Sequence, residues 1–365
     1  MKKVFIYLIV IIYFILFNNI KTNKPTSDIN SNIISNEIKS NKVSNVISNK
    51  PSNSNETSNI VKKSNINNKE KNNYVSYNGN LSVKGTKIVN QYGEKIILKG
   101  VSSHGLQWFN YLITDQNIKT LKSWNSNVFR LAMYTKEGGY IDNKNIYNDL
   151  IKDIDLVIKN DMYVIVDWHI LSDNNPNTYK KEAIEFFNKI SSKYKNTPNI
   201  IYEICNEPNG NTNWNDVKSY ATDVVKTIRK NSNNIIIVGT PTWSQDVDKV
   251  INNKINDKNI MYSLHFYSGT HKEDLRNKAK KALNNNVPIF ITEYGVSDAS
   301  GNGGVYLDEA NKWMKFIKNN DLSFVNWSLA DKNESSALLK QNNRVIKDSS
   351  LSASGKYIKN ILKNN

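Results

Sequence analysis

From Tyr74 to the C-terminus, short apolar runs alternate with segments whose apolar residues recur at helical spacing. The runs are Ile96 to Val101, Val128 to Met133, Tyr163 to Asp167, Ile200 to Ile204, Ile235 to Val238, Met261 to Phe266, Pro288 to Thr292 and Phe324 to Trp327, eight in all. Between them Leu150, Ile151, Ile154, Val157 and Ile158 form one stripe, and Trp214, Val217, Ala221, Val224, Val225 and Ile228 another. Ala310, Trp313, Met314 and Ile317 form a third, in a helix opened by Tyr306, and Leu351 to Leu362 predicts a closing helix. Strand and helix in strict turn join as parallel β/α units, because parallel neighbours need a crossover and a helix supplies it. Eight units in about 290 residues predict an α/β fold of the (β/α)8, or TIM-barrel, type. An open doubly wound sheet is the next architecture. Ahead of the first barrel strand, Leu81 to Val83 and Lys87 to Val89, joined across Gly85, predict a short β-hairpin.

The residues before Tyr74 read differently. Met1 to Lys3 are a positive start, and Val4 to Phe17 are 14 apolar residues. That run is short of the roughly 20 residues that span a bilayer and suits a signal-peptide core, so the chain is expected to be exported and secreted. No A-x-A site follows, since Asn18, Asn19, Ile20 and Lys21 come next, and an uncleaved anchor through Ile20 is the alternative; membrane association is expected only in that case. Lys21 to Asn73 is an Asn, Ser and Lys tract without periodicity or aromatics, expected to be a disordered linker ahead of a catalytic domain at 74–365. The formal charge is +16, yet residues 1–73 hold only 11 basic groups against 4 acidic, and no dense basic run follows. Nucleic acid is therefore not an expected partner, and a monomer is expected. The single cysteine, Cys205, excludes a disulfide framework and a multi-thiolate zinc site.

In a barrel of this kind the reactive groups stand where strands end, on the C-terminal face. The apolar runs lead into His104 and Trp108, Tyr134 after Arg130, Asp167 to His169, Asn206 and Glu207, Trp243, His265 and Tyr267, Glu293 and Tyr294, and Trp327. Two carboxylates across a pocket floored by aromatics are what glycosidic cleavage needs, one to protonate the leaving oxygen and one to attack or to activate water. A sugar stacks its C–H face on Trp or Tyr while its hydroxyls bond to Asn, His and Glu. No G-x-G-x-x-G or G-x-x-x-x-G-K-[ST] run points to phosphate, and without H-E-x-x-H or C-x-x-C neither a metal nor another cofactor is expected.

I-C-N-E-P at Ile204 to Pro208 and T-E-Y-G at Thr292 to Gly295 resemble glycoside hydrolase family 5, and the wider pattern resembles its bacterial endo-β-1,4-glucanases, the cellulases. The likeness continues in order through G-V-S-S-H-G-L-Q-W at Gly100, F-R-L-A-M-Y at Phe129, V-D-W-H at Val166, L-H-F-Y at Leu264 and N-W-S-L at Asn326, covering about Leu81 to Leu339. The resemblance implies a retaining double displacement on cellulose or a related β-glucan, with Glu207 as acid/base and Glu293 as nucleophile. Glu207 must then keep its proton, which an ionised Glu293 nearby would promote. It implies that Arg130 orients Glu293, that Asn206 binds the sugar 2-hydroxyl, that His169, His265 and Tyr267 line the pocket, and that Trp327 is a stacking platform. By the same resemblance His104, Trp108, Tyr134, Lys332 and Glu334 contact the glycone side and Trp243 the aglycone side.

Other readings stay open. A β-mannanase or mixed-linkage glucanase could occupy the same barrel, since loops set substrate choice. A non-catalytic carbohydrate-binding wall protein would keep the aromatic surface without turnover, and net charge alone would allow a nucleic-acid binder or surface adhesin. Glu203 is expected to be structural, with Arg130 as the alternative partner that neutralises it. His271 is expected to be a satisfied loop residue, Trp124, Trp214 and Trp313 to be core, and Cys205 to be an unreactive apolar residue.

Overall fold

The structure, a computed structural model, describes residues 74–364. The expected signal segment, Met1 to Ile20, and linker, Lys21 to Asn73, lie outside the described residues.

Strands β1 (Ser82–Lys84) and β2 (Lys87–Val89) pair antiparallel as the hairpin. Eight parallel strands then close into a barrel: β3 (Lys99–Ser103), β4 (Val128–Tyr134), β5 (Tyr163–His169), β6 (Ile200–Glu203), β7 (Ile236–Val238), β8 (Ile260–Tyr267), β9 (Ile289–Gly295) and β10 (Ser323–Leu329), with β10 beside β3. The first barrel strand starts later than its apolar run. Ile96 donates its N–H to the Ile88 carbonyl and Lys95 bridges Val89, so the start of that run extends the hairpin corner.

Among the described residues seven long helices pack outside: α1 (Asp115–Ser123), α2 (Ile146–Lys159), α3 (Lys180–Lys193), α4 (Trp214–Ile228), α5 (Glu273–Asn284), α6 (Leu307–Asn319) and α7 (Ala353–Asn364). Their starts follow local chemistry. Thr114 caps α1 by accepting the Asn117 N–H, and Asn213 and Asp216 form a reciprocal capping box on α4. After β7 the described chain makes only the short helical turns Pro241–Ser244 and Val247–Val250 before β8. Among the described residues no helix is long and apolar enough to cross a membrane.

Alternation along the strands builds the interior in layers. On β4, Phe129, Leu131 and Met133 join the outer core beneath the helices, while Val128, Arg130, Ala132 and Tyr134 point inward. Val128, Tyr163, Ile165, Ile201, Ile237, Met261 and Phe290 fill the lower barrel, which Leu81 and Ile88 of the hairpin region close. Trp124, Trp214 and Trp313 are buried, as expected. Cys205 is buried too, where loss of solvation pushes its thiol far above the ordinary range and keeps it un-ionised.

Two departures from regular alternation decide where the acids stand. Strand β6 ends at Glu203, not Ile204; Ile204 and Cys205 turn into the outer core, and Asn206 and Glu207 lie beyond the strand. In β9 there is a bulge: from Ser263 to His265 the neighbouring strand advances two residues while β9 advances three, Phe290 to Glu293, and β10 records the same extra residue between Ile291 and Tyr294. Ile291 and Tyr294 both face the outer core. Thr292 and Glu293, adjacent in sequence, therefore both face inward, which a regular strand forbids.

Candidate active site

At the barrel centre sits Arg130, fully buried on β4. Its Nε donates to Glu203 at 2.7 Å, Nη1 to Glu293 at 3.1 Å, and Nη2 to Asn206 Oδ1 at 2.6 Å, with Asp167 Oδ2 3.0 Å from Nη2. The two partners weighed for Arg130 in the sequence, Glu203 and Glu293, are both engaged, because a planar guanidinium offers five N–H groups in fixed directions. Asp167, which the sequence places at a strand end without a partner, is the third buried carboxylate on it.

Glu293 Oε2 receives that Arg130 bond, and Oε1 accepts the Tyr267 hydroxyl at 2.7 Å. The Glu293 carboxyl is raised to about 7, chiefly by burial; Glu207 adds to the rise, and His265, Arg130 and the Tyr267 bond oppose it. One oxygen of Glu207, one of Glu293 and one ring nitrogen of His265 all lie within 4.8 Å of one another. Glu207 has a different setting. Its Oε1 lies 2.9 Å from His265 Nδ1, and its side chain keeps 13% of its exposure.

Glu207 is pushed up to about 8, with burial as the main cause. Arg130 opposes the rise, and the buried Asp167 and Glu203 add to it; the repulsion between Glu207 and Glu293 to which the sequence pointed is present as well. His265 is driven down to about 4 by burial, so it is neutral near pH 7 and has one N–H. Thr292 donates to Glu203 Oε1 at 2.7 Å, and its oxygen lies 2.9 Å from His265 Nε2. A hydroxyl whose proton goes to Glu203 can only accept from Nε2–H. That fixes Nδ1 as a bare acceptor facing Glu207.

His169 takes the opposite tautomer, with Nδ1–H toward a carboxylate and Nε2 as the acceptor. Its Nδ1 lies 2.6 Å from Asp167, Nε2 lies 3.2 Å from the Asn206 amide, and burial holds it well below its ordinary range. Asn206 is thereby tied to Arg130, His169 and the Ile170 carbonyl.

Above this layer lies a cleft of about 570 Å³. His104, Trp108, Tyr134, His169, Trp327, Glu207, His265, Tyr267, Glu293, Trp243, Lys332 and Glu334 all line it, so the structure brings together the residues singled out in the sequence, with Arg130 and Asn206 just beneath. Trp327 stacks on His169 with ring centres 5.3 Å apart, and Tyr134 meets His169 at 4.1 Å and Trp108 at 5.0 Å. Trp108 and Trp243 are 45% and 46% exposed, open faces at the cleft surface. Lys332 pairs with Glu334, which also accepts from Ser336. His271 is satisfied: Nδ1 accepts the Tyr267 N–H at 2.9 Å and its carbonyl accepts from Trp313.

Glu137, Leu171, Gln245 and Ala299 also line the cleft and were missed, as was the relay role of Thr292. Loop residues give no periodic signal, and in a regular strand Thr292 of the T-E-Y-G motif would face away from Glu293. A larger groove, about 710 Å³ near the hairpin, has asparagine for half of its lining residues and Lys195 as its lone titratable group among the described residues. Among the described residues Glu207, His265 and Glu293 are the group close enough to hold a cation. The Arg130 charge bonded to Glu293 disfavours one there.

A profile of the cellulase family, glycosyl hydrolase family 5, matches residues 89–333. An endoglucanase of Clostridium saccharobutylicum is 51% identical over 292 residues, 78% of this chain and 65% of that protein. Endoglucanase 5 of Pectobacterium carotovorum subsp. carotovorum is 45% identical over 291 residues, 78% of this chain and 58% of its own length. The chain thus spans less than two thirds of either relative. The solved structure of cellulase Cel5C_n superposes with a TM-score of 0.76 at 46% identity, covering 80% of this chain and 94% of that one. With the profile spanning most of the barrel and two carboxylates facing each other across its mouth, the chain belongs to the cellulase family, glycosyl hydrolase family 5.

Proposed function

We propose that the protein is an endo-β-1,4-glucanase that cuts internal bonds of cellulose or a related β-glucan with retention of anomeric configuration. The observation that carries this is the opposite hydrogen-bond polarity of two carboxyls within 4.8 Å of each other. Glu293 faces two donors, Arg130 and Tyr267, and is thereby suited to be an anion that attacks the anomeric carbon. Glu207 faces the bare nitrogen of His265 and is thereby suited to carry the proton for the leaving oxygen. The short gap fits a retaining pair, about 5 to 5.5 Å apart, and leaves no room for the water that an inverting pair holds between about 6.5 and 9.5 Å.

In the first step the Glu207 proton goes to the glycosidic oxygen as Glu293 forms a covalent glycosyl ester. In the second, Glu207, now a carboxylate, takes a proton from water, which attacks the ester and regenerates both groups. Asn206, fixed by three partners, fits the 2-hydroxyl contact, and Trp327, Tyr134 and Trp108 fit the faces of successive rings. An open cleft that a chain can cross supports internal cleavage, as do the names of the endoglucanase relatives. Export by the Met1 to Phe17 segment fits a polymer met outside the cell.

NMR of the products first released from cellopentaose tests the reading: the β anomer is expected before mutarotation, and an initial α anomer overturns it. A panel of carboxymethylcellulose, lichenan, xyloglucan and mannan tests the polymer, and cleavage of mannan alone overturns the glucanase assignment.

Glu207→Ala is expected to lower kcat/KM roughly 10²- to 10⁴-fold on cello-oligosaccharides and far less on a dinitrophenyl cellobioside, whose leaving group needs no proton. The pH dependence has a matching sign. Since Glu207 is raised to about 8, its proton is present below that pH and lost above it, so kcat/KM on oligosaccharides falls there. The dinitrophenyl substrate is expected to lack that alkaline limb. Equal loss on the two substrates would tell against the acid role.

A further inference from the structure

The turn after β7 has a backbone that L-amino acids avoid. Thr242, Trp243 and Ser244, none of them glycine, have φ of 58°, 53° and 57° in succession. In this region Cβ crowds the neighbouring carbonyl oxygen, so single residues visit it and runs do not. Three in a row persist only where the surroundings over-determine them, and such strain gathers at working sites.

The surroundings here are the backbone on either side of Glu207. Ser244 Oγ donates to the Asn206 carbonyl at 2.6 Å and accepts the Thr240 N–H at 3.2 Å. The Trp243 N–H donates to the Pro208 carbonyl at 3.0 Å. Gly239 permits the approach, since a Cβ there would stand 2.1 Å from the Cys205 carbonyl oxygen and 2.8 Å from that of Asn206. The outer side of the turn is pinned as well: Thr242 Oγ1 donates to Asp246 at 2.9 Å, and Lys278 holds the same carboxylate at 2.6 Å.

Glu207 lies beyond the end of β6, and its carboxyl bonds to one side chain, His265. Its aim is therefore set by its main chain. We propose that Ser244 is a positioning residue for Glu207, and that the left-handed turn is kept because it grips the main chain before and after the proton donor. Trp243 rises from the same turn into the cleft, so a ring stacked on it is held in register with the Glu207 carboxyl. The proposal rests on the assignment of Glu207 as the acid.

Ser244→Ala and Ser244→Gly test it together. Both remove the hydroxyl, and only glycine adopts a positive φ without strain. Both are expected to lower kcat on cellopentaose by about tenfold with KM little changed, since small misplacement of a catalytic group is costly. Both are expected to alter kcat/KM on dinitrophenyl cellobioside by about twofold or less, and Ser244→Gly is expected to melt above Ser244→Ala. Activity that follows the melting order, with glycine near wild type, makes the turn merely structural and overturns the proposal. Equal loss on the two substrates by the Ser244 variants, while Glu207→Ala discriminates between them, overturns the clamp alone. Equal loss by Glu207→Ala as well brings down the acid assignment and the clamp with it.

Discussion

Glu293→Gln is expected to abolish hydrolysis, with kcat reduced roughly 10⁴-fold or more, while cellotetraose binding stays close to that of the parent protein. The amide keeps the size of the carboxylate and can still accept one bond from Arg130 or Tyr267, which now reach Glu293 at 3.1 and 2.7 Å. It cannot supply the negative oxygen that forms the ester. Reducing-end assays on carboxymethylcellulose, read beside calorimetric titration with cellotetraose, separate the two effects. Turnover near that of the parent protein would refute the nucleophile assignment, and loss of binding would point to a misfolded cleft.

Arg130→Lys is the second substitution of large effect, although it keeps the charge. The guanidinium spends Nε on Glu203, Nη1 on Glu293 and Nη2 on Asp167 and Asn206, and none of the three carboxylates has more than 6% of its side chain exposed. An ammonium is a single point on a flexible stem and cannot span them. Breaking one partner out of a buried pair costs about 3 to 5 kcal/mol, so urea unfolding is expected to show a loss near the lower figure. Activity is expected to fall by roughly 10²-fold or more, because Glu293 loses its orienting donor. A variant with parental stability and activity would mean that the buried charges are balanced by something other than this fork.

The barrel was legible because its signal is long-range and repetitive: each of the eight apolar runs contains or borders a strand, and the helical stripes at Leu150, Trp214 and Ala310 all face the core. That Glu207 and Glu293 share one cleft was legible because side chains at the C-terminal ends of barrel strands point into one mouth. What could not be read was the local geometry that breaks the rule of alternation. Ile204 and Cys205 leave the strand, so Glu207 reaches the cleft from a turn, and Thr292 faces inward beside Glu293 only through the bulge. The origin of the Glu207 shift was hidden for a related reason. Asp167 stands on another strand and Glu203 four positions before Glu207, and only the closed barrel gathers both into one buried charge cluster. Trp243 was visible as an aromatic, but no propensity foretells three consecutive left-handed residues around it.

The extra residue in β9 limits how this scaffold can be rebuilt. Strand grafts between barrels are commonly planned by matching lengths, and here a matched, regular segment would carry the wrong parity. Whichever of Thr292 and Glu293 kept its place, the other would rotate under α6, leaving a chimera whose cleft lacks either the Glu293 carboxyl beside Arg130 and Tyr267 or the Thr292 hydroxyl beside Glu203 and His265. Engineering of this protein should transplant β8, β9 and β10 as one block or leave all three alone.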